Sequence, residues 1–219
     1  MQETTQVTYG LGTITVIMST ESETEVAAPA IRFGDYYKAM SACLTAKELD
    51  EISEGKNAQV QFTCTMTDEP CNEEEISHFE NGIERAEMLT GPLQSGVYFE
   101  VEAQKSVDGA EFDEITTLYD DVEVQFDIPL YLVAEKRVYY VMTDVKGVCD
   151  IQEDVDEDAD TLSINTHNIG TTLILYQDGK DRKNNSGSGF MIKSQYLFVI
   201  GIIALGFAWW ALEKKYRKG

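Results

Sequence analysis

Positive charge, histidine and catalytic signature motifs are the things this chain has least of. Lys and Arg number 17 against 39 Asp and Glu in 219 residues, a formal net charge of −22. So acidic a surface repels phosphate backbones, which excludes nucleic-acid binding as a reading. The two imidazoles, His78 and His167, and the lack of any CxxC pair leave no zinc-site pattern. No GxSxG, Walker-type glycine loop, HExxH or GxGxxG occurs, and neither histidine falls in a nucleophile motif. Paired carboxylates are too common in such a chain to single out a catalytic pair, so a non-enzymatic protein is expected.

Cysteine is also sparse. Cys43, Cys64, Cys71 and Cys149 allow three full pairings, and sequence does not choose among them. Cys64 and Cys71 are the nearest pair and the candidate disulfide, although Cys64 also falls on the apolar face of an expected strand.

One long apolar run is present, and the chain is organised around it. Residues 196–212, YLFVIGIIALGFAWWAL, are seventeen uncharged residues. At roughly 1.5 Å of rise each they make a helix near the lower limit for crossing a hydrocarbon core about 30 Å thick. Tyr196 at one end and Trp209 with Trp210 near the other suit the headgroup level, and Lys214, Lys215, Arg217 and Lys218 follow. The positive-inside tendency then makes residues 213–219 a basic cytoplasmic tail and places everything before Tyr196 outside the cell membrane as a single-pass ectodomain. Charge is divided accordingly. Residues 1–179 hold nine Lys/Arg and 37 Asp/Glu, a formal −28, whereas residues 180–219 hold eight and two, +6. The opening MQETTQVTYG has no basic n-region or apolar h-region, so an upstream portion is expected to precede it.

Within the helix, Gly201, Ala204, Ala208 and Ala211 put small residues on one face. Such a face allows close approach of a second helix, a helix-mediated homodimer, and is the basis for the alternative reading of a regulatory or signalling membrane subunit.

The head, residues 1–178, reads as mainly β. TQVTYGLGTITVIMST alternates with period two around Gly10 and Gly12, as two short strands or one bent strand, and a polar loop follows through residue 30. In LTAKELDEISEG, Thr45 and Glu48 form a capping box and Gly55 ends the helix. AQVQFTCTMTD then alternates as a half-buried strand. Asn72 with Glu75 repeats the capping logic for a second helix, whose Ile76, Phe79 and Ile83 share a face that lies over the sheet; His78 reads as a surface residue.

Beyond Gly91-Pro92 the chain is β-dense: GVYFEVEAQKS, Asp108-Gly109 as a turn, VEVQFDIP, then hairpins at Lys146-Gly147 and at residues 168–170. Many short alternating strands with two short helices imply antiparallel sheets packed face to face, a β-sandwich or close relative.

The organisation expected is N-terminal strands and loop over 1–42, a sandwich module over 43–178, a polar juxtamembrane linker over 179–195, the membrane helix over 196–212 and the tail. Asp154, Asp156, Asp158 and Asp160 in DVDEDAD resemble the start of a calcium loop. The EF-hand pattern would then want Gly at 159 and Glu at 165, where this chain has Ala159 and Asn165. An acidic turn is the simpler expectation, with calcium the one candidate cofactor.

LTAKELDEISEGKNAQV, a second helix, GVYFEVEAQKS, VEVQFDIP, RVYYVMTDVKGV and TLSINTHNIGTTLILYQD together resemble a module recurrent in cell-surface proteins of Gram-positive anaerobic bacteria, often near the C-terminal anchor. The resemblance spans roughly residues 43–178. It implies an extracellular Ig-like stalk or adhesin module binding a protein or glycan, without catalysis. No LPxTG motif precedes the apolar run, so retention in the lipid itself is expected rather than covalent wall attachment.

Overall fold

The computed structural model describes residues 2–70, 72–155, 158 and 160–179. The strands among them are β1 (Gln2–Tyr9), β2 (Gly12–Ser22), β3 (Ile31–Phe33), β4 (Ala58–Thr67), β5 (Gln94–Val107), β6 (Asp113–Glu114), β7 (Thr117–Asp127), β8 (Arg137–Val145), β9 (Val148–Glu153), β10 (Thr161–Asn168) and β11 (Thr172–Asp178). The helices are α1 (Tyr36–Cys43), α2 (Ala46–Ser53) and α3 (Glu73–Thr90). The fold is mainly β, as the alternation implies.

The large sheet runs β1-β2-β4-β5-β11-β8-β9, with β6 on β5, and a second sheet runs β10-β7-β3. They pack face to face over one apolar core: Phe33 of β3 meets Phe62 of β4 with ring centroids 4.9 Å apart, and Phe99 of β5 meets Phe126 of β7 at 5.7 Å. Met40, Leu44 and Ile52 bring α1 and α2 into that core. The other face of the large sheet carries α3 over β8, β9 and β11, where Phe79 and Ala86 pack on Val138, Tyr140, Met142, Leu173 and Leu175.

Capping explains where the helices begin. Thr45 Oγ1 accepts from the Glu48 amide at 3.2 Å while Glu48 Oε2 accepts from the Thr45 amide at 2.6 Å, the expected box. Asn72 caps α3 by accepting from the Glu75 amide at 2.9 Å, but the Glu75 carboxylate does not turn back; it accepts from Thr171 Oγ1 at 3.2 Å. Lys146 and Gly147, at φ 52° and 86°, make the tight turn between β8 and β9 as their sequence predicts.

Four expectations need correction. The sheets are not wholly antiparallel, because β2 pairs with β4 in parallel register from Ile14↔Ala58 to Ser22↔Met66. Parallel neighbours need a crossover, which β3, α1 and α2 supply. The Ig-like order is thereby replaced by a seven-strand path with a helical layer. Residues 36–43, inside the span expected to hold strands and loop with the module boundary at 42, are helix: Asp35 accepts from the Lys38 amide at 3.0 Å and caps α1. Residues 161–178 are no hairpin, since β10 pairs with β7 in one sheet and β11 lies between β5 and β8 in the other. The run Thr172–Leu175 is buried at every position because α3 covers one face and the small sheet the other. Finally α3, at 18 residues, is not short.

Candidate functional site

A groove of about 640 Å³ opens beside the first turns of α3, bounded by β5, the β8–β9 turn and the residues entering β11. Carboxylates dominate it. Glu74 and Glu75 come from α3, Glu100 and Glu102 from β5 and Asp144 from β8, with Lys146 as the cation on its rim. Local structure fixes their direction: Glu74 and His78 are one helical turn apart, and Glu100 and Glu102, two residues apart on a strand, share the α3 side of the large sheet with Tyr98, beyond the part that α3 covers.

His78 and Asp144 are paired at the floor. His78 Nδ1 lies 2.7 Å from Asp144 Oδ2, the Asp144 side chain is only 8% exposed, and its Oδ1 accepts from the Gly147 amide at 2.8 Å. Gly147 is required on two counts: its φ is positive, and a Cβ there would sit 3.3 Å from the imidazole. Glu75 Oε1 takes the Thr171 hydroxyl, while its buried Oε2 has no hydrogen-bond partner among the described residues. The Glu100 carboxyl titrates above the ordinary carboxylate range, first because it is desolvated and then because Glu23 and Glu102 lie close. So concentrated a negative field attracts a cationic group.

Nucleophilic chemistry is a poor match to these groups. The Thr171 hydroxyl is directed to Glu75, and Cys149 Sγ donates to the backbone oxygen of His78 at 3.2 Å. Burial, then Asp144, pushes the Cys149 thiol up to about 12, so it stays protonated and unreactive. Among the described residues no group of three or more His, Cys, Asp or Glu is placed to share one metal ion.

Those residues singled out from sequence that are described lie elsewhere. Asp154 Oδ1 accepts from the Ser163 amide at 3.0 Å, and the Asp160 carbonyl accepts from the Ile128 amide at 2.7 Å, so both fasten the β9–β10 connection. Asp158 is described, whereas Asp156 lies outside the described residues. Cys64 is a free thiol buried in the core, pushed up to about 12 by desolvation, beside an apolar void of about 50 Å³ between the sheets. That void is far below ligand size. Its candidate partner Cys71 lies outside the described residues, as do Tyr196, Trp209, Trp210, Lys214 and Lys215 of the expected anchor. Among the described residues no helix is long and apolar enough to cross a membrane.

Sequence reading passed over the groove. His78 is a half-buried partner rather than a plain surface residue, and its acid is 66 residues away. The available signals were the Glu74–His78 spacing of one turn and the D-x-K-G run at 144–147. Comparison of the chain with protein-family models, curated proteins and solved structures gives no match.

Proposed function

We propose that this chain is a single-pass, surface-displayed recognition module without catalytic activity, whose β-rich acidic head projects outside a bacterial cell. The observation that carries this is the division of charge: a formal −28 over residues 1–179, then seventeen uncharged residues, then a tail with four Lys/Arg. A head of that charge does not adhere to an anionic membrane face, and the basic tail disfavours translocation. The stalk or adhesin character implied by the resemblance belongs to this same proposal. Recognition is electrostatic, with the groove around Glu74, Glu75, Glu100, Glu102 and Asp144 taking lysine or arginine side chains of an extracellular protein.

Two measurements test it. Protease added to intact cells should remove the head, and the full-length chain should need detergent to stay monodisperse; a protected head, or a monodisperse chain in plain buffer, ends the display reading. For recognition, a lysine-rich peptide should bind the full chain with an affinity that falls as salt rises, and E74Q/E100Q/E102Q should weaken it about tenfold or more. Equal binding by the variant would remove the groove from the proposal. A calcium titration followed by thermal melting tests the DVDEDAD segment, since a ligand of the native state alone must raise Tm.

A further inference from the structure

The terminal strands of the two sheets are not treated alike. An unpaired strand edge is a template for another strand, and folded proteins blunt it by shortness, charge, bulges or cover. β9 packs against α3 and carries Asp150 and Glu153. β3 is three residues long, and β10 has a register break between Thr166 and Asn168.

Of these devices β1 has a single charge and no other. It runs eight residues, QETTQVTY, pairs with β2 without a register break from Gln2↔Ser19 to Tyr9↔Gly12, and ends the strand order of the large sheet. It has no proline, no basic residue and one charge, Glu3. Its outward edge therefore offers about four amides or carbonyls in a row with nothing among the described residues to cover them. Beside it on the core side stand aromatic rings: Tyr9 stacks on Tyr37 at 5.6 Å, Tyr37 is 53% exposed, and Tyr36 lies beside Glu3 and Thr5.

We infer that β1 pairs antiparallel with β1 of a second copy of this chain about a two-fold axis near Thr5, joining the two large sheets into one. The strand is self-complementary in that register. Gln2 comes opposite Thr8 of the second copy, Thr4 opposite Gln6, and Glu3 opposite Val7, so no two carboxylates face each other. The Gln and Thr side chains continue a polar face that already runs across β2, β4 and β5, where Gln104 donates to Gln61 at 2.8 Å. Low charge decides between occupants. A cationic peptide finds one carboxylate on β1 and many in the groove, whereas a second copy finds an edge that matches its own and least resembles the acidic surface elsewhere. A two-fold interface of this kind closes on itself and builds no fibre.

Sedimentation of the full-length chain in detergent tests the pairing. The heads repel at long range, so the dimer should gain as salt is raised toward 1 M, where screening acts within about 3 Å. T4K/Q6K places lysine opposite lysine across the axis while making each chain less negative. It should weaken the dimer tenfold or more, whereas relief of general repulsion would strengthen it. Both side chains are exposed, so circular dichroism should be unchanged, and hydrogen exchange of β1 amides in the parent chain should slow with protein concentration. G201L/A204L should leave the dimer intact. A chain that is monomeric at every salt, a T4K/Q6K dimer as tight as the parent, or loss of the dimer in G201L/A204L alone would each overturn the inference.

Discussion

At the scale of single residues, the concentrated charge of the groove works against stability. Desolvation, then Glu23 and Glu102, hold the Glu100 carboxyl above its ordinary titration range. A carboxyl whose folded-state pKa is raised destabilises the fold at pH above that value, and the penalty vanishes below the ordinary carboxylate pKa. E100Q should therefore raise the urea midpoint at pH 7, lose that advantage as the buffer is taken below about pH 4, and bind the lysine-rich peptide more weakly. Glu48 behaves oppositely. Burial raises its pKa, but Lys105 at 2.6 Å and the two Thr45 hydrogen bonds outweigh that and leave it lowered. Its stabilisation is present above the ordinary carboxylate pKa and disappears as pH falls through the folded value. The Lys105 and Glu48 side chains are 11% and 23% exposed, so K105M leaves a partly buried carboxylate without its cation and should cost about 1 kcal/mol at pH 7, less in acid. Equal midpoints for K105M and its parent at neutral pH would show the pair to be energetically idle.

At the scale of elements, caps and close approaches set the layers. T45A removes the hydroxyl that accepts the Glu48 amide, and a stability loss of about 1 kcal/mol is expected on chemical denaturation. In α3, Gly82 faces the sheet, and a Cβ there would lie 2.7 Å from Cys149 Cβ and 2.8 Å from Met142 Sδ. Alanine gains about 1 kcal/mol of helix propensity but overpacks by about 1–3 kcal/mol. G82A should thus lower Tm rather than raise it, although the same change on an exposed helix face would do the reverse. These local features were legible: the Thr45 box, the alternation of β4 and the Lys146-Gly147 turn each depend on residues within a few positions. What escaped was long-range. The partner of β10 is β7 rather than β11, and His78 meets Asp144 only because α3 lies across β8.

At the scale of the whole molecule, the excess of negative charge outweighs any single ion pair. Residues 1–179 repel one another at neutral pH, so moderate NaCl should raise the Tm of the full chain before any specific salt effect appears; a Tm that falls with salt would mean that attractive pairs prevail instead. The sequence by itself determined the strand-rich character of the described residues, two of their three helices, the acidic composition and the apolar run with its basic flank, because composition and short-period patterns are local properties. Only the tertiary structure decided the parallel β2–β4 pair, the separation of β10 from β11, the groove at His78 and the open edge of β1. Each joins residues far apart in sequence, where many pairings satisfy the same alternation, and burial of both sheet faces selects among them.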